Sequence, residues 1–112
     1  MEIRSRQVEI YVTEKGKQPF VEWLESLKDI RTRSVVKSRI NRLRLGLLGD
    51  TKSVGQGVFE LRIDFGPGYR VYFGQSGNQI VILLLGGDKG SQKRDINTAQ
   101  EYWLDYRKRK DG

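Results

Sequence analysis

The chain contains no cysteine and no histidine. Without cysteine, a disulfide-stapled secreted scaffold is excluded. Without either residue, a Cys/His zinc site, a Ser-His-Asp triad and a Cys-His nucleophile are excluded together. So is any side chain whose unperturbed pKa lies near neutrality. Proline occurs only twice, at Pro19 and Pro67, and no linker is long enough to divide domains. Long apolar runs are also missing. The N-terminal stretch MEIRSRQVEIYV is charged and alternating, with no leader-like apolar core, and no segment approaches membrane-spanning length. At 112 residues the chain is expected to form one domain over 1–112, large enough for a core of its own. The expected location is the cytoplasm, with no membrane contact.

Acidic residues are the scarcer charge. Fourteen Asp and Glu stand against 21 Lys and Arg, a net charge of +7. The excess is clustered. Lys28, Arg31, Arg33, Lys37, Arg39, Arg42 and Arg44 are accompanied by one acid, Asp29, and Arg107–Lys110 is entirely basic. Clustered cations favour a polyanionic partner: RNA, DNA or an acidic protein segment. The alternative is a solvated helix face, with residues from about 107 to 112 as a basic tail.

The periodicity predicts an order of β-α-α-β-β-β-α. Gln7–Thr13 alternates as a strand. Pro19 suits the first position of a helix, which then carries Phe20, Trp23, Leu24 and Leu27 on one stripe. Asp29 is placed to cap a second helix from Ile30 to about Leu45, with a stripe of Val36, Ile40, Leu43 and Leu47, ended by Gly46 and Gly49. Residues 48–56 read as a polar connector. Val58–Ile63 and Tyr69–Phe73 alternate on either side of the turn Asp64-Phe65-Gly66-Pro67-Gly68. Ser76-Gly77-Asn78 makes the next reversal. Ile80–Leu85 is apolar on both faces, as expected of a central, doubly covered strand. It delivers Gly86-Gly87-Asp88-Lys89-Gly90-Ser91-Gln92 as a Gly-rich loop. A last helix starts near Arg94 or Asp95 and carries Ala99, Tyr102, Trp103 and Tyr106. The sum is an α+β domain, a small mostly antiparallel sheet with a helical hairpin and a C-terminal helix. Helices on one face would leave the other face, or its rim, open.

If the alternating strands pair as a hairpin, Glu60, Arg62, Arg70 and Tyr72 share one sheet face. A cationic face beside a Lys-bearing, Gly-rich loop is a place to hold phosphate. Arg62 and Arg70 can clamp one phosphate, since each planar guanidinium binds two oxygens. Lys89 adds a third cation; Gln92 and Lys93 lie close by to orient phosphate or ribose, and Lys52 reaches from the connector. Glu60 is either a proton acceptor or an ion-pair partner of Arg62, and Tyr72 is a candidate to stack on a base. Each has a plainer role available as a salt bridge, a packing residue or an exposed lysine. No metal or cofactor site is expected.

The run ELRI…GPGYRVYF…LLLGGDKGSQKRDI, with PFVEWLESLKD upstream, resembles the HigB-like addiction-module toxins of the RelE/ParE superfamily over roughly Val8 to Tyr106. The resemblance implies an antitoxin-neutralised toxin of a type II toxin–antitoxin module. Its RelE- and HigB-type members are mRNA endoribonucleases acting on the translating ribosome, and its ParE-type members poison DNA gyrase. It implies a catalytic role for Arg70, within Gly68-Tyr69-Arg70, and for a cation in the region of Lys89. It also implies a cognate antitoxin, a HigA-like helix-turn-helix protein, through which alone operator DNA is bound. The chain departs from the pattern in two ways. Arg94-Asp95-Ile96-Asn97 stands where RelE-type toxins place a catalytic tyrosine, and the histidine of some HigB-type toxins is missing. A gyrase inhibitor and an inactive homologue that only binds its antitoxin therefore remain the alternatives.

Overall fold

The computed structural model describes residues 5–77 and 79–111; Asn78, in the expected Ser76-Gly77-Asn78 reversal, lies outside them. The elements are β1 (Gln7–Ile10), α1 (Pro19–Ser26), α2 (Ile30–Arg44), β2 (Thr51–Ser53), β3 (Val58–Ile63), β4 (Tyr69–Ser76), β5 (Ile80–Asp88), a 3₁₀ turn (Lys89–Ser91) and α3 (Gln92–Asp111). The five strands form one sheet in the order β1-β5-β4-β3-β2. Among the described residues only the β1–β5 pairing is parallel. The α+β expectation, with a mostly antiparallel sheet, a helical hairpin and a C-terminal helix, holds.

Local chemistry accounts for the element ends. Pro19 opens α1, where its missing N–H would have had no helical partner. Asp29 caps α2, its Oδ1 accepting from Arg31 N at 2.8 Å. At the other end Gly46 adopts a positive φ of 87°. Leu47 N then donates to Arg42 O and Gly46 N to Leu43 O, satisfying two carbonyls of the last turn. Val36, Ile40 and Leu43 are buried as expected, but Leu47 lies past the helix end and is exposed.

Two cores sandwich the sheet. On one side Phe20, Val36, Ile40 and Leu43 of the helical hairpin pack on Leu61, Ile63, Val71, Phe73, Val81 and Leu83. On the other, Ala99 and Trp103 of α3 pack on Val58, Tyr72, Ile82 and Leu84, with Tyr11 alongside. A bulge in the β4–β5 ladder falls between Tyr72 and Phe73, where the register passes from Leu85 to Leu83. Of the two expectations, an open second face or an open rim, the first is corrected, since α3 packs on that face, and the second holds, with a cleft at the rim where β3 and β4 meet the start of α3.

Three further expectations are corrected. The connector 48–56 contains a short edge strand, β2, paired with β3 from Thr51↔Leu61 to Ser53↔Phe59. Gly86, Gly87 and Asp88 are not loop; they continue β5 opposite Val71, Arg70 and Tyr69. The bare backbone of the two glycines serves packing. A Cβ on Gly86 would come within 2.0 Å of the Trp23 ring, and one on Gly87 within 2.0 Å of Asp95 Oδ2. Arg107–Lys110 is not a tail but part of α3. There Arg109 donates to Val12 O and Asp105 Oδ2, each at 2.6 Å, and Tyr11 Oη donates to the same Asp105 oxygen at 2.6 Å. Among the described residues no helix is long and apolar enough to cross a membrane.

Candidate active site

The β3–β4 hairpin sets Arg62 directly opposite Arg70, with Glu60 opposite Tyr72. Because side chains alternate along a strand, these four project toward the α3 side of the sheet. Next across is Gly87, the partner of Arg70 on β5. With no side chain it lets the first turn of α3 settle on the sheet, so that Gln92 reaches back over the strands. Gln92 Nε2 donates to Glu60 Oε2 at 2.9 Å.

Glu60 is the hub. Its side chain is fully buried, and Arg62 Nε donates to its Oε1 at 3.1 Å. Arg70 Nε stands 3.9 Å from its Oε2, near enough for an ion pair and too far for a hydrogen bond. Burial pushes the Glu60 carboxyl up, but hydrogen bonds from Gln92 and Arg62 and the charge of Arg70 outweigh it and hold the group below its ordinary value. Glu60 is therefore ionised at neutral pH and enclosed. That corrects its candidacy as an accessible proton acceptor and supports the ion-pair role.

Lys89 arrives from the far side. Asp88 Oδ1 accepts from Gly90 N and Ser91 N and so shapes the 3₁₀ turn. Lys89 N donates to Gly68 O at 3.0 Å, stitching that turn to the β3–β4 reversal. The reversal is closed by Gly68 N donating to Phe65 O, with Gly66 and Gly68 at positive φ of 57° and 92°, a conformation glycine adopts without the cost of a Cβ. Ser91 Oγ donates to the buried Asp95, which ties the turn to α3.

The result is a cleft of about 520 Å³, lined by Arg62, Arg70, Lys89 and Gln92, with Asp50, Asp64 and the Gly66-Pro67-Gly68 turn. Four of the expected site residues are thus brought together. Lys52 and Lys93 are exposed and do not line the cleft. Tyr72 cannot stack on a base, because it is fully buried beneath α3; burial and the neighbouring Glu60 carboxylate push its hydroxyl well above the ordinary value. Asp50 had no signal in the sequence, since it sits just before an edge strand too short to show a period. Its carbonyl accepts from Arg62 N at 2.9 Å, which brings it to the cleft wall. No group of three or more Asp or Glu residues placed to hold a metal ion occurs among the described residues.

No protein-family model matches the chain. An uncharacterized protein of Haemophilus influenzae is 51% identical over 81 residues, a match covering 72% of this chain and 82% of that protein. The chain belongs to that protein's family. Membership brings no activity with it. Three cations within one small, partly enclosed space can neutralise an oxyanion, and two of them are guanidiniums on adjacent strands that share one carboxylate, Arg62 by a hydrogen bond and Arg70 by charge alone. Such preorganised charge is the feature that stabilises a phosphorane-like transition state.

Proposed function

We propose that this protein is the toxin of a type II toxin–antitoxin module and acts as a metal-independent, ribosome-dependent mRNA endoribonuclease. The observation that carries this reading is the meeting of Arg62, Arg70 and Lys89 at one cleft, on a chain whose GPGYR and GGDK motifs resemble those of HigB-like toxins. In the reaction a ribose 2′-oxygen loses its proton as it attacks the adjacent phosphorus. The bond from phosphorus to the 5′-oxygen breaks, and that oxygen takes up a proton. Arg62 and Arg70 are assigned to the non-bridging oxygens, where a planar fork matches the geometry. Lys89 is assigned to the charge developing on the leaving oxygen, and Gln92 to orientation of the bound strand.

Glu60 is not assigned the proton, because its side chain has no exposed surface. With no histidine in the chain, proton transfer is left to Lys89, to a cleft carboxylate such as Asp50 or Asp64, or to groups of the ribosome, and the last of these is what ribosome dependence would supply. The protein works in the cytoplasm. A cognate, HigA-like antitoxin neutralises it, and operator DNA is reached only through that complex.

A second reading is an inactive homologue that only binds its antitoxin. One observation favours it: the cleft cations stand among the carboxylates of Glu60, Asp50 and Asp64, which offset their charge. The test is to add antitoxin-free protein to a cell-free translation reaction and map mRNA 5′ ends by primer extension, beside naked mRNA. Cuts that need ribosomes and vanish with Arg70→Lys support the nuclease. Intact mRNA with unimpaired translation overturns it in favour of antitoxin binding alone or of gyrase inhibition, which a supercoiling assay separates.

A further inference from the structure

Arg62 and Arg70 are like charges held opposite each other on paired strands, an arrangement that destabilises a sheet unless something compensates. One carboxylate pairs with both of them. Glu60 uses one oxygen for each arginine, and in both cases the contact is made through Nε. A guanidinium has five N–H donors, and Nε carries only one of them. Engagement at Nε leaves the terminal nitrogens to other partners. Gln92 Nε2 donates to the same Oε2 at 2.9 Å, while Arg70 Nε faces it at 3.9 Å, paired by charge without a hydrogen bond.

We propose that Glu60 is the positioning residue of the cleft: it grips Arg62 and Arg70 from behind, so that their terminal nitrogens act together on one phosphate group. The inference rests on the reading of the cleft as a phosphate site. It also assigns the order of dependence. Glu60 never touches the substrate; it sets the separation and tilt of two groups that do. Charge and geometry then have opposite effects when Glu60 is changed. Glu60→Gln makes the cleft more positive, which favours anion binding, while releasing the two arginines from a common anchor. RNA affinity is expected to stay within about threefold, while the cleavage rate falls by about 10²-fold, as for loss of other preorganised transition-state contacts.

The deciding experiment is NMR of arginine Nε–H groups, with inorganic phosphate as the probe. In the wild-type protein the Arg62 and Arg70 Nε–H protons are expected to exchange with water about tenfold more slowly than that of Arg31, whose side chain is 83% exposed. Phosphate should shift both signals with a single midpoint. In Glu60→Gln the two signals should lose protection and no longer titrate together. Exchange as fast as Arg31 in the wild type overturns the proposal without need of any variant. Joint titration that persists in a folded Glu60→Gln protein overturns it equally. Neither readout requires cleavage, so a failure of the nuclease reading is seen separately, as intact mRNA beside an unchanged NMR result.

Discussion

Arg62 and Arg70 are cross-strand partners in the β3–β4 hairpin, and both turn their Nε toward Glu60, at 3.1 and 3.9 Å. The two arginines differ in what surrounds them. The Arg62 side chain keeps 37% of its exposure and Arg70 only 11%. Arg70 is the inner member of the pair and Arg62 the outer one. On the proposed function, a ligand entering the cleft would meet Arg62 at the edge and Arg70 at depth, so that capture and chemistry fall to different residues.

Replacing Arg70 should therefore cost more activity than replacing Arg62. Arg70→Lys keeps the charge but loses the fork, and the expected loss is about 10² to 10³-fold in the rate of mRNA cleavage. Arg62→Lys should mainly weaken RNA binding. Single-turnover cleavage at saturating and sub-saturating protein separates the two effects, and equal losses in both variants would falsify the inner and outer assignment.

Gly87→Ala should damage the site without touching any of its charges. The new methyl group would meet Asp95 Oδ2 at 2.0 Å, on a carboxylate already held by Ser91. The start of α3 must then lift, carrying Gln92 away from Glu60. The expected cost is about 1 to 3 kcal/mol of stability, with loss of the Nε–H protection described above. Urea unfolding and the same NMR spectrum check it; a variant as stable as wild type with an unchanged spectrum contradicts the close packing.

Acid should weaken the fold through Glu60. Its pKa is depressed below the ordinary 4.5 in the folded protein, so its contribution is complete above that value and is lost as pH falls through the lower folded value. The urea midpoint should drop on acidification below about pH 4.5 more steeply in the wild type than in Glu60→Gln. Parallel acid profiles for the two proteins would remove Glu60 from this role.

Alkali acts through Tyr11. Burial, and then its hydrogen bond to Asp105, push the hydroxyl from 10.0 up to about 12. A raised acid pKa means that the unfolded chain releases its proton first, so stability declines as pH climbs from about 10 toward 12. Tyr11→Phe should lose about 1 kcal/mol at neutral pH and show a shallower decline in alkali. Circular dichroism melts across that range test both parts.

Much of the fold is written in local pattern. The alternation of Val58–Ile63 and Tyr69–Phe73, Pro19 at the head of α1, Asp29 at the cap of α2 and Gly46 at its end all act within a few residues, and each is legible for that reason. The second face was not. Tyr72 and Glu60 occupy the polar side of an alternating pattern, and a charged residue ordinarily signals exposure. Here Glu60 is buried because Arg62, Arg70 and Gln92 satisfy it, and those partners come from three separate elements. Gly86 and Gly87 misled in the same way. A glycine pair reads as loop, yet in a strand it also marks where another group must approach the backbone closely. Trp23 and Asp95 supply those groups from distant positions. In the site, the gathering of Arg62, Arg70 and Lys89 was foreseeable from strand pairing, whereas the withdrawal of Tyr72 depended on where α3 came to rest.

The parallel pairing of β1 with β5 sets Gln7 beside Ile80, and it constrains the order in which the molecule can be assembled. Among the described residues β1 lies at the edge of the sheet, with β5 as its neighbour. A chain emerging from the ribosome makes β1 early and must leave it unpaired until β5 has been synthesised. Closing so long a loop is entropically costly and slow. The helical hairpin and the β2–β3–β4 meander, built from near neighbours in sequence, can form in the meantime. The cleft cannot, because Lys89 and Gln92 follow β5. During synthesis the protein therefore passes through a stage in which both arginines exist but their site does not.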